Sequence, residues 1–215
     1  MISDWKERKH VSIASQFAYL AAREALDFGG MDQHKLEHNS VAERFGVSIG
    51  SGLEGTHELV RSITDSLTKE LVRPFAQFYS EVQNNEADLM LCGGTEAALL
   101  PWSLAAFARI RALASKYNET PKHASRPFDR DRDGFVMSEG AAVFLIHCWP
   151  LPEQLSSLFN GPMKPIAEII GYGRSADAQS LVAPDSSGDG AFRAMLQASK
   201  EVDVNFLQQV TVTCK

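Results

Sequence analysis

Long apolar runs, cysteine and positive charge are all scarce in this 215-residue chain. No apolar run approaches the roughly 20 residues that a bilayer-spanning helix needs, so no membrane partner is expected. Lys and Arg number 21 against 27 Asp and Glu, giving a net charge of -6, and the bases form no cluster. Such a balance argues against a general nucleic-acid binder. The three cysteines, Cys92, Cys148 and Cys214, are an odd number without short spacing. They build neither a disulfide framework nor a zinc motif, and a reducing compartment suits them. The opening Met1-Ile2-Ser3-Asp4-Trp5-Lys6 has no signal-peptide core and no Arg/Ser-rich transit pattern, so no targeting signal is expected. Internal repeats and low-complexity tracts are missing as well. What is present is ordinary globular material, 44% hydrophobic and 22% charged. The length suffices for one domain with a sizeable core, or two small ones.

Hydrophobic periodicity divides the chain into alternating elements. Residues 11–26 read as a helix with Ile13, Phe17, Leu20 and Ala21 on one face and Gly29-Gly30 as its stop. Residues 28–44 are polar and mixed, a loop or a short helix. A short strand is expected over 45–49 and a helix over 54–67, with Leu59, Ile63 and Leu67 on one stripe. Pro74 interrupts, and 75–83 can form a short helix. Residues 87–92 are a continuous apolar strand ended by Gly93-Gly94, the pattern of a strand buried on both faces. A helix over 104–113, a polar loop over 116–132 and a second buried strand over 141–146 follow. Prolines and Gly161 make 150–165 irregular. Strand 166–170, helix 191–202 and strand 210–213 complete the pass, with Phe192, Met195, Leu196 and Ser199 adjacent on the helix surface. Alternation of this kind favours an α/β layered fold.

Three short motifs invite functional readings. Gly50-Ser51-Gly52-Leu53-Glu54-Gly55 fits G-x-G-x-x-G after a strand, where a dinucleotide pyrophosphate can meet a helix N-terminus. The acid that should end the next strand falls on Glu70 in a helical stretch, followed by Pro74, so a plain strand-to-helix turn is the expected reading. Asp129-Arg130-Asp131-Arg132-Asp133-Gly134 opens like a calcium loop. Its twelfth position is Gly140 rather than Glu, and Glu139 stands one place early, so no ion is expected. His34-Lys35-Leu36-Glu37-His38 spells H-x-x-E-H in polar surroundings, where a solvated loop or helix end is expected. The other histidines, His10, His57, His123 and His147, pair with no Ser or Cys in a nucleophile motif. No cofactor and no metal is expected.

Two longer stretches are more specific. Ala87-Asp88-Leu89-Met90-Leu91-Cys92-Gly93-Gly94-Thr95-Glu96-Ala97 runs from a strand into a Gly-Gly-Thr-Glu turn. Residues 124–142 contain Arg126-Pro127-Phe128-Asp129, Arg132-Asp133-Gly134-Phe135-Val136 and Glu139-Gly140-Ala141. Together they resemble the β-ketoacyl-acyl-carrier-protein synthases, the condensing enzymes of fatty-acid synthesis, whose signature reads R-P-F-D-x-x-R-D-G-F-V-x-G-E-G-A. Arg111-Ala112-Leu113, Gly171-Tyr172-Gly173 and Ala183-Pro184-Asp185 continue the match in order, and helix 11–26 and the turn at 46–55 also fit. The resemblance covers most of the chain. It implies a thiolase-like fold of two related halves in αβαβα layers, and decarboxylative condensation of an acyl thioester with malonyl-acyl carrier protein. In the family a cysteine at a buried helix N-terminus takes the acyl group, two histidines serve the decarboxylation, and backbone N–H groups hold the oxyanion.

The chain departs from that pattern where the chemistry sits. The T-A-C-x-T-G-A-H nucleophile stretch is missing: Val72-Arg73-Pro74-Phe75 resembles the entry to that region, and Ala76-Gln77-Phe78-Tyr79 already resembles its exit. The family's first strand and both histidine motifs have no match either. Cys92 is expected to be an inert core thiol, and Cys148 and Cys214 match no nucleophile turn. No catalytic residue is therefore carried over. Asp133 and Glu139 are expected to hold the signature turn by hydrogen bonds, with Gly134 and Gly140 supplying unusual dihedrals. Residues 1–215 are expected to form a partial thiolase-like chain, an incomplete N-terminal domain, with 166–215 as the start of the C-terminal half. Losing about five large apolar side chains from a core, each worth roughly 1.5–3 kcal/mol, rivals a whole domain's stability of about 5–15 kcal/mol. The chain alone is expected to be inactive and not to form the family fold stably. Its partners by resemblance are acyl carrier protein and a full-length ketosynthase subunit. The alternatives are a non-catalytic partner of such a synthase and a dinucleotide-binding oxidoreductase. The jump after Phe75 resembles a skipped exon, which favours the mitochondrial matrix of a eukaryote, with the cytoplasm as the other location.

Overall fold

The computed structural model describes residues 11–32, 35, 44–53, 87–162, 165–180 and 184–200. The helix over 54–67, the segment 75–83, the junction at Phe75, Glu70, the H-x-x-E-H histidines, the strand over 210–213 and Cys214 lie outside them. Two compact units emerge, Met1–Met163 and Lys164–Lys215.

In the first unit, helix α1 spans Ile13–Phe28. Ser12 caps it, its hydroxyl oxygen accepting the Ser15 N–H at 3.0 Å, which satisfies one of the orphan donors of the first turn. The buried face differs from the one expected. Ala14 and Ala18 are buried, whereas Ile13 and Leu20 are exposed. Small side chains four apart let the helix lie close to the sheet, near enough for the Thr95 hydroxyl to donate to the Ala14 carbonyl at 2.6 Å.

Strands β1 (Phe45–Gly50), β2 (Leu89–Ala97) and β3 (Glu139–His147) form one sheet in the order β1-β2-β3. β1 pairs parallel with β2, Ser48 beside Cys92, and β2 pairs antiparallel with β3, Cys92 beside Phe144. β2 is central, and Leu89, Met90, Leu91 and Cys92 are all buried, as a strand covered on both faces requires. It does not stop at Gly93-Gly94 but runs through both to Ala97. A Cβ on Gly93 would lie 2.8 Å from the Val143 Cα, so glycine marks a close backbone approach inside the ladder rather than a turn. β3 is not buried on both faces. Its side chains alternate towards solvent, and Phe144 is exposed. The main core cluster lies on one face of the sheet, where Leu89, Met31, Leu155, Leu158 and Phe159 pack with Leu26, Phe45 and Leu145. Met90, Cys92 and Ile146 form a second cluster.

Helix α2 spans Pro101–Arg109, earlier than periodicity suggests, because Pro101 occupies the first-turn position where its missing N–H costs nothing. Arg111 ends it in the left-handed region at φ 57°, with Arg111 N–H donating to Ala108 and Ala112 N–H to Phe107. A 3-10 turn at Pro121–His123 lies in the polar loop, and the short helix α3 covers Glu153–Ser156.

In the second unit, the expected strand over 166–170 does not form. Ile166, Ile169 and Ile170 are exposed, and none of the described residues supplies the neighbouring ladder that a strand needs. Helix α4 spans Asp189–Lys200 and leaves Phe192, Met195 and Leu196 exposed. Gly173 approaches its backbone so closely that a Cβ would meet the Ala198 N at 2.8 Å.

Candidate functional site

The signature stretch leaves α2 through Arg111 and returns to the sheet at β3. Its polar residues are spent on holding the backbone. Asp133 accepts the N–H groups of Ser115 and Lys116 at 2.7 and 2.8 Å, and the Lys116 ammonium stands 3.2 Å away. These donors favour the carboxylate and pull its pKa down to about 2. Gly134 next to it has φ +130°, and a Cβ there would press on the Leu113 carbonyl carbon at 3.0 Å. This close approach lets Phe135 bridge to Leu113 and exchange hydrogen bonds with Ala112 and Ala114. Glu139 accepts the Leu99 N–H at 3.1 Å. Glu139 thereby ties the start of β3 to Leu99 ahead of α2, while Asp133 and Gly134 hold the turn as the sequence suggests. Gly140 does not: it sits in β3 opposite Glu96 with no left-handed dihedral.

Arg126, Pro127, Phe128 and Asp129 form a tight turn, the Asp129 N–H donating to the Arg126 carbonyl at 3.3 Å. Pro127 at its second position and φ 63° at Phe128 make it type II, which ordinarily takes glycine where Phe128 stands. Asp129 braces it, accepting the Asp131 N–H at 2.7 Å and an Arg126 N–H at 3.0 Å, contacts that lower its pKa. Arg126 also lies over the Tyr117 ring, 4.9 Å from its centroid. The calcium-like spacing does not bring its acids together. Asp129, Asp131 and Asp133 face different partners, and among the described residues no three acids, histidines or cysteines converge.

The glycine turn at 50–53 has an occupant of its own. The Glu96 carboxylate accepts the N–H groups of Gly52 and Leu53 at 2.9 and 3.1 Å and lies 3.5 Å from the Ser51 hydroxyl. An internal carboxylate stands where a pyrophosphate would have to lie, which removes the physical basis of the dinucleotide reading. No local signal announces this clamp, because its partners are 44 residues apart.

Of the described cysteines, Cys92 is wholly buried, and desolvation pushes its thiol up to about 11. Cys148 is half-buried, and burial together with the Asp88 carboxylate raises it. Neither is a thiolate near neutrality. Asp88 is itself held by a bidentate Arg44 contact at 2.6 and 2.8 Å, which ties β1 to the entry of β2. Sequence reading missed this pair, although both residues flank apolar runs.

Comparison with known proteins agrees with this geometry. Residues 72–148 match the family described as Beta-ketoacyl synthase, N-terminal domain. A protein of Synechocystis sp. named 3-oxoacyl-[acyl-carrier-protein] synthase 2 is 33% identical over 92% of this chain and 55% of its own length. One of the same name from Rhizobium meliloti is 44% identical over 55% of this chain and 27% of its own length. The Synechocystis alignment runs over 238 positions while using 92% of 215 residues, so about 40 of its positions have no counterpart here. Among solved structures, a beta-ketoacyl synthase from Burkholderia phymatum superposes with a TM-score of 0.69 at 22% identity, covering 94% of this chain and 57% of that one. A type II ketosynthase bound to its acyl-carrier protein gives 0.66 at 23% identity, covering 86% and 54%. The chain spans about half the length of the curated relatives it matches. Its fold is thiolase-like, and the chain belongs to the β-ketoacyl synthase family.

Proposed function

We propose that this chain serves fatty-acid synthesis as a partial condensing-enzyme chain that carries the family's signature scaffold without an acyl-accepting cysteine of its own. The family reaction is decarboxylative condensation of an acyl thioester with malonyl-acyl carrier protein. The observation that carries the reading is the alignment with a 3-oxoacyl-[acyl-carrier-protein] synthase over 92% of the chain. The two described thiols, both raised in pKa, support its inactive side. Acyl carrier protein is the partner by kinship, and relatives named mitochondrial from Schizosaccharomyces pombe and Arabidopsis thaliana support a mitochondrial setting, with the cytoplasm as the other location. Incubation with an acyl-acyl carrier protein, followed by intact-mass measurement, tests it. No adduct is expected, against a full-length synthase as control. A stoichiometric, hydroxylamine-sensitive adduct would overturn it.

A second reading is favoured by exposed apolar surface: the chain is a non-catalytic partner of a full-length synthase. Phe28, Ile110, Phe128, Phe135, Phe144 and Trp149 are all more than half exposed, and aromatic side chains like those among them are favoured at protein interfaces. Solved neighbours include a ketosynthase described in complex with its chain length factor. On this reading the chain alone gives a broad melt and the complex a sharp one. A sharp, cooperative melt of the isolated monomer contradicts it.

A further inference from the structure

The sequence holds a single Asn-Gly pair, Asn160-Gly161. Asparagine is a chemically labile residue, and a following glycine exposes it further, because no Cβ hinders the next backbone nitrogen from reaching the amide carbon. Both residues are exposed, in a bend just beyond α3. Among the described residues no hydrogen bond holds the Asn160 side chain or the Gly161 N–H. A Cβ added at Gly161 would meet nothing within 4 Å, so the space around it is open. The two Asp-Gly pairs of the chain provide the contrast. Asp133 is fixed by the N–H groups of Ser115 and Lys116, and Asp189 is paired with Arg193 at 2.6 Å in the first turn of α4. The backbone at Asn160 also matters to the core. Its N–H donates to the Gly30 carbonyl at 2.8 Å, and the Asp32 N–H donates to the Leu158 carbonyl at 2.8 Å, on either side of the antiparallel bridge between Met31 and Phe159. This strap closes the main core cluster, to which Met31, Leu155, Leu158 and Phe159 belong.

We propose that Asn160-Gly161 is a self-modification site, where the folded chain converts its own asparagine to aspartate and isoaspartate, and that the isoaspartyl form loosens the strap between residues 30–32 and 158–160. The Gly161 nitrogen attacks the Asn160 amide carbon. A nitrogen–carbon bond forms and the bond to the amide nitrogen breaks. Ammonia leaves with the proton that the Gly161 nitrogen gives up, and a cyclic succinimide remains. Water then opens either carbonyl of that ring. One opening leaves aspartate. The other leaves isoaspartate, in which the backbone continues through the former side chain and the old backbone carbonyl becomes a free carboxylate. Water is the sole co-reactant, and no electrons change hands. Either product adds negative charge to a chain already at -6. That charge arrives one residue from the Phe159 bridge, and isoaspartate reroutes the chain at the outermost hydrogen bond of the strap.

The full chain is incubated in mildly alkaline native buffer and in denaturant. Peptide mapping by mass spectrometry, with fragmentation that separates aspartate from isoaspartate, follows positions 118, 133, 160 and 189. Conversion at 160 alone is expected in native buffer, and it should quicken as pH rises, since the attacking nitrogen must lose its proton. Asn118 is the exposed control, because it precedes Glu119, whose Cβ obstructs the attack. In denaturant Asp133 and Asp189 should isomerise as well, which marks the native readout as that of the folded chain. Gly161→Ala fits without a clash and should slow the conversion about tenfold or more. The converted fraction, separated by its added charge on an ion-exchange column, should exchange the backbone amides of residues 32 and 160 faster than the parent does. An Asn160 that converts in denaturant but not in native buffer overturns the proposal. So does equal conversion at Asn118, or an undiminished rate in G161A. Unchanged exchange at residues 32 and 160 in the converted fraction overturns the loosened strap and leaves the modification site standing.

Discussion

The sheet core and the signature loop are stabilised in opposite ways. In the core, Leu89, Met90 and Leu91 contribute by leaving water, and even Cys92 acts as a small apolar side chain. In the loop between α2 and β3 most side chains stay wet, and carboxylates of Asp129, Asp133 and Glu139 hold backbone N–H groups instead. The first region is sensitive to volume, and its pH dependence is confined to the Arg44–Asp88 pair at the entry of β2. The second tolerates volume changes at its surface and depends on charge.

The sharpest way to break the core is Gly93→Val. Its side chain would meet the backbone of β3, with the Val143 Cα already 2.8 Å from the nearest Cβ position. The cost should exceed the roughly 1–3 kcal/mol of ordinary overpacking, because backbone cannot rotate away. Loss of hydrogen-exchange protection along β2 and β3 would report it. Leu89→Ala should cost about 2–5 kcal/mol by opening a cavity in the main cluster, read from the same amides, while protection at residues 115–116 changes little.

The carboxylate clamps, in the loop and at the end of β2, should answer to other changes. Glu96→Ala frees the N–H groups of Gly52 and Leu53 at a partly wet site, and a loss of about 1 kcal/mol is expected in a denaturant titration. Asp133 gives a smaller, pH-specific effect. Its folded pKa of about 2 lies below the ordinary 3.8. Its stabilising contribution is thus complete above about pH 4 and disappears as pH falls from 3.8 towards 2. Exchange at Ser115 and Lys116 should accelerate across that window, and Asp133→Asn should flatten the profile without touching β2. The smallest effect is a gain: Arg111→Gly relieves a left-handed φ of 57° at the end of α2. A gain of about 0.5 kcal/mol remains after the extra freedom of glycine in the unfolded chain is subtracted. If Asp133→Asn disturbed β2 as much as Leu89→Ala does, the distinction between the two regions would fail.

The positions of α1, β1 and β3 to within two residues, the buried character of β2 and the bracing role of Asp133 are legible along the linear chain. Each follows from local information: apolar runs, glycines at turns, and acids beside backbone donors a short loop away. Packing in three dimensions sets which face of α1 is buried, since Ala14 and Ala18 are chosen by how closely the helix approaches Thr95 rather than by their hydrophobicity. It also decided that Gly93 serves the ladder instead of ending it, that residues 166–170 lack a strand partner among those described, and that Glu96 fills the glycine turn. These outcomes depend on which distant backbone arrives beside a residue, and hydrogen bonds and steric contacts at 3 Å are fixed by that arrival, which periodicity along the chain does not encode.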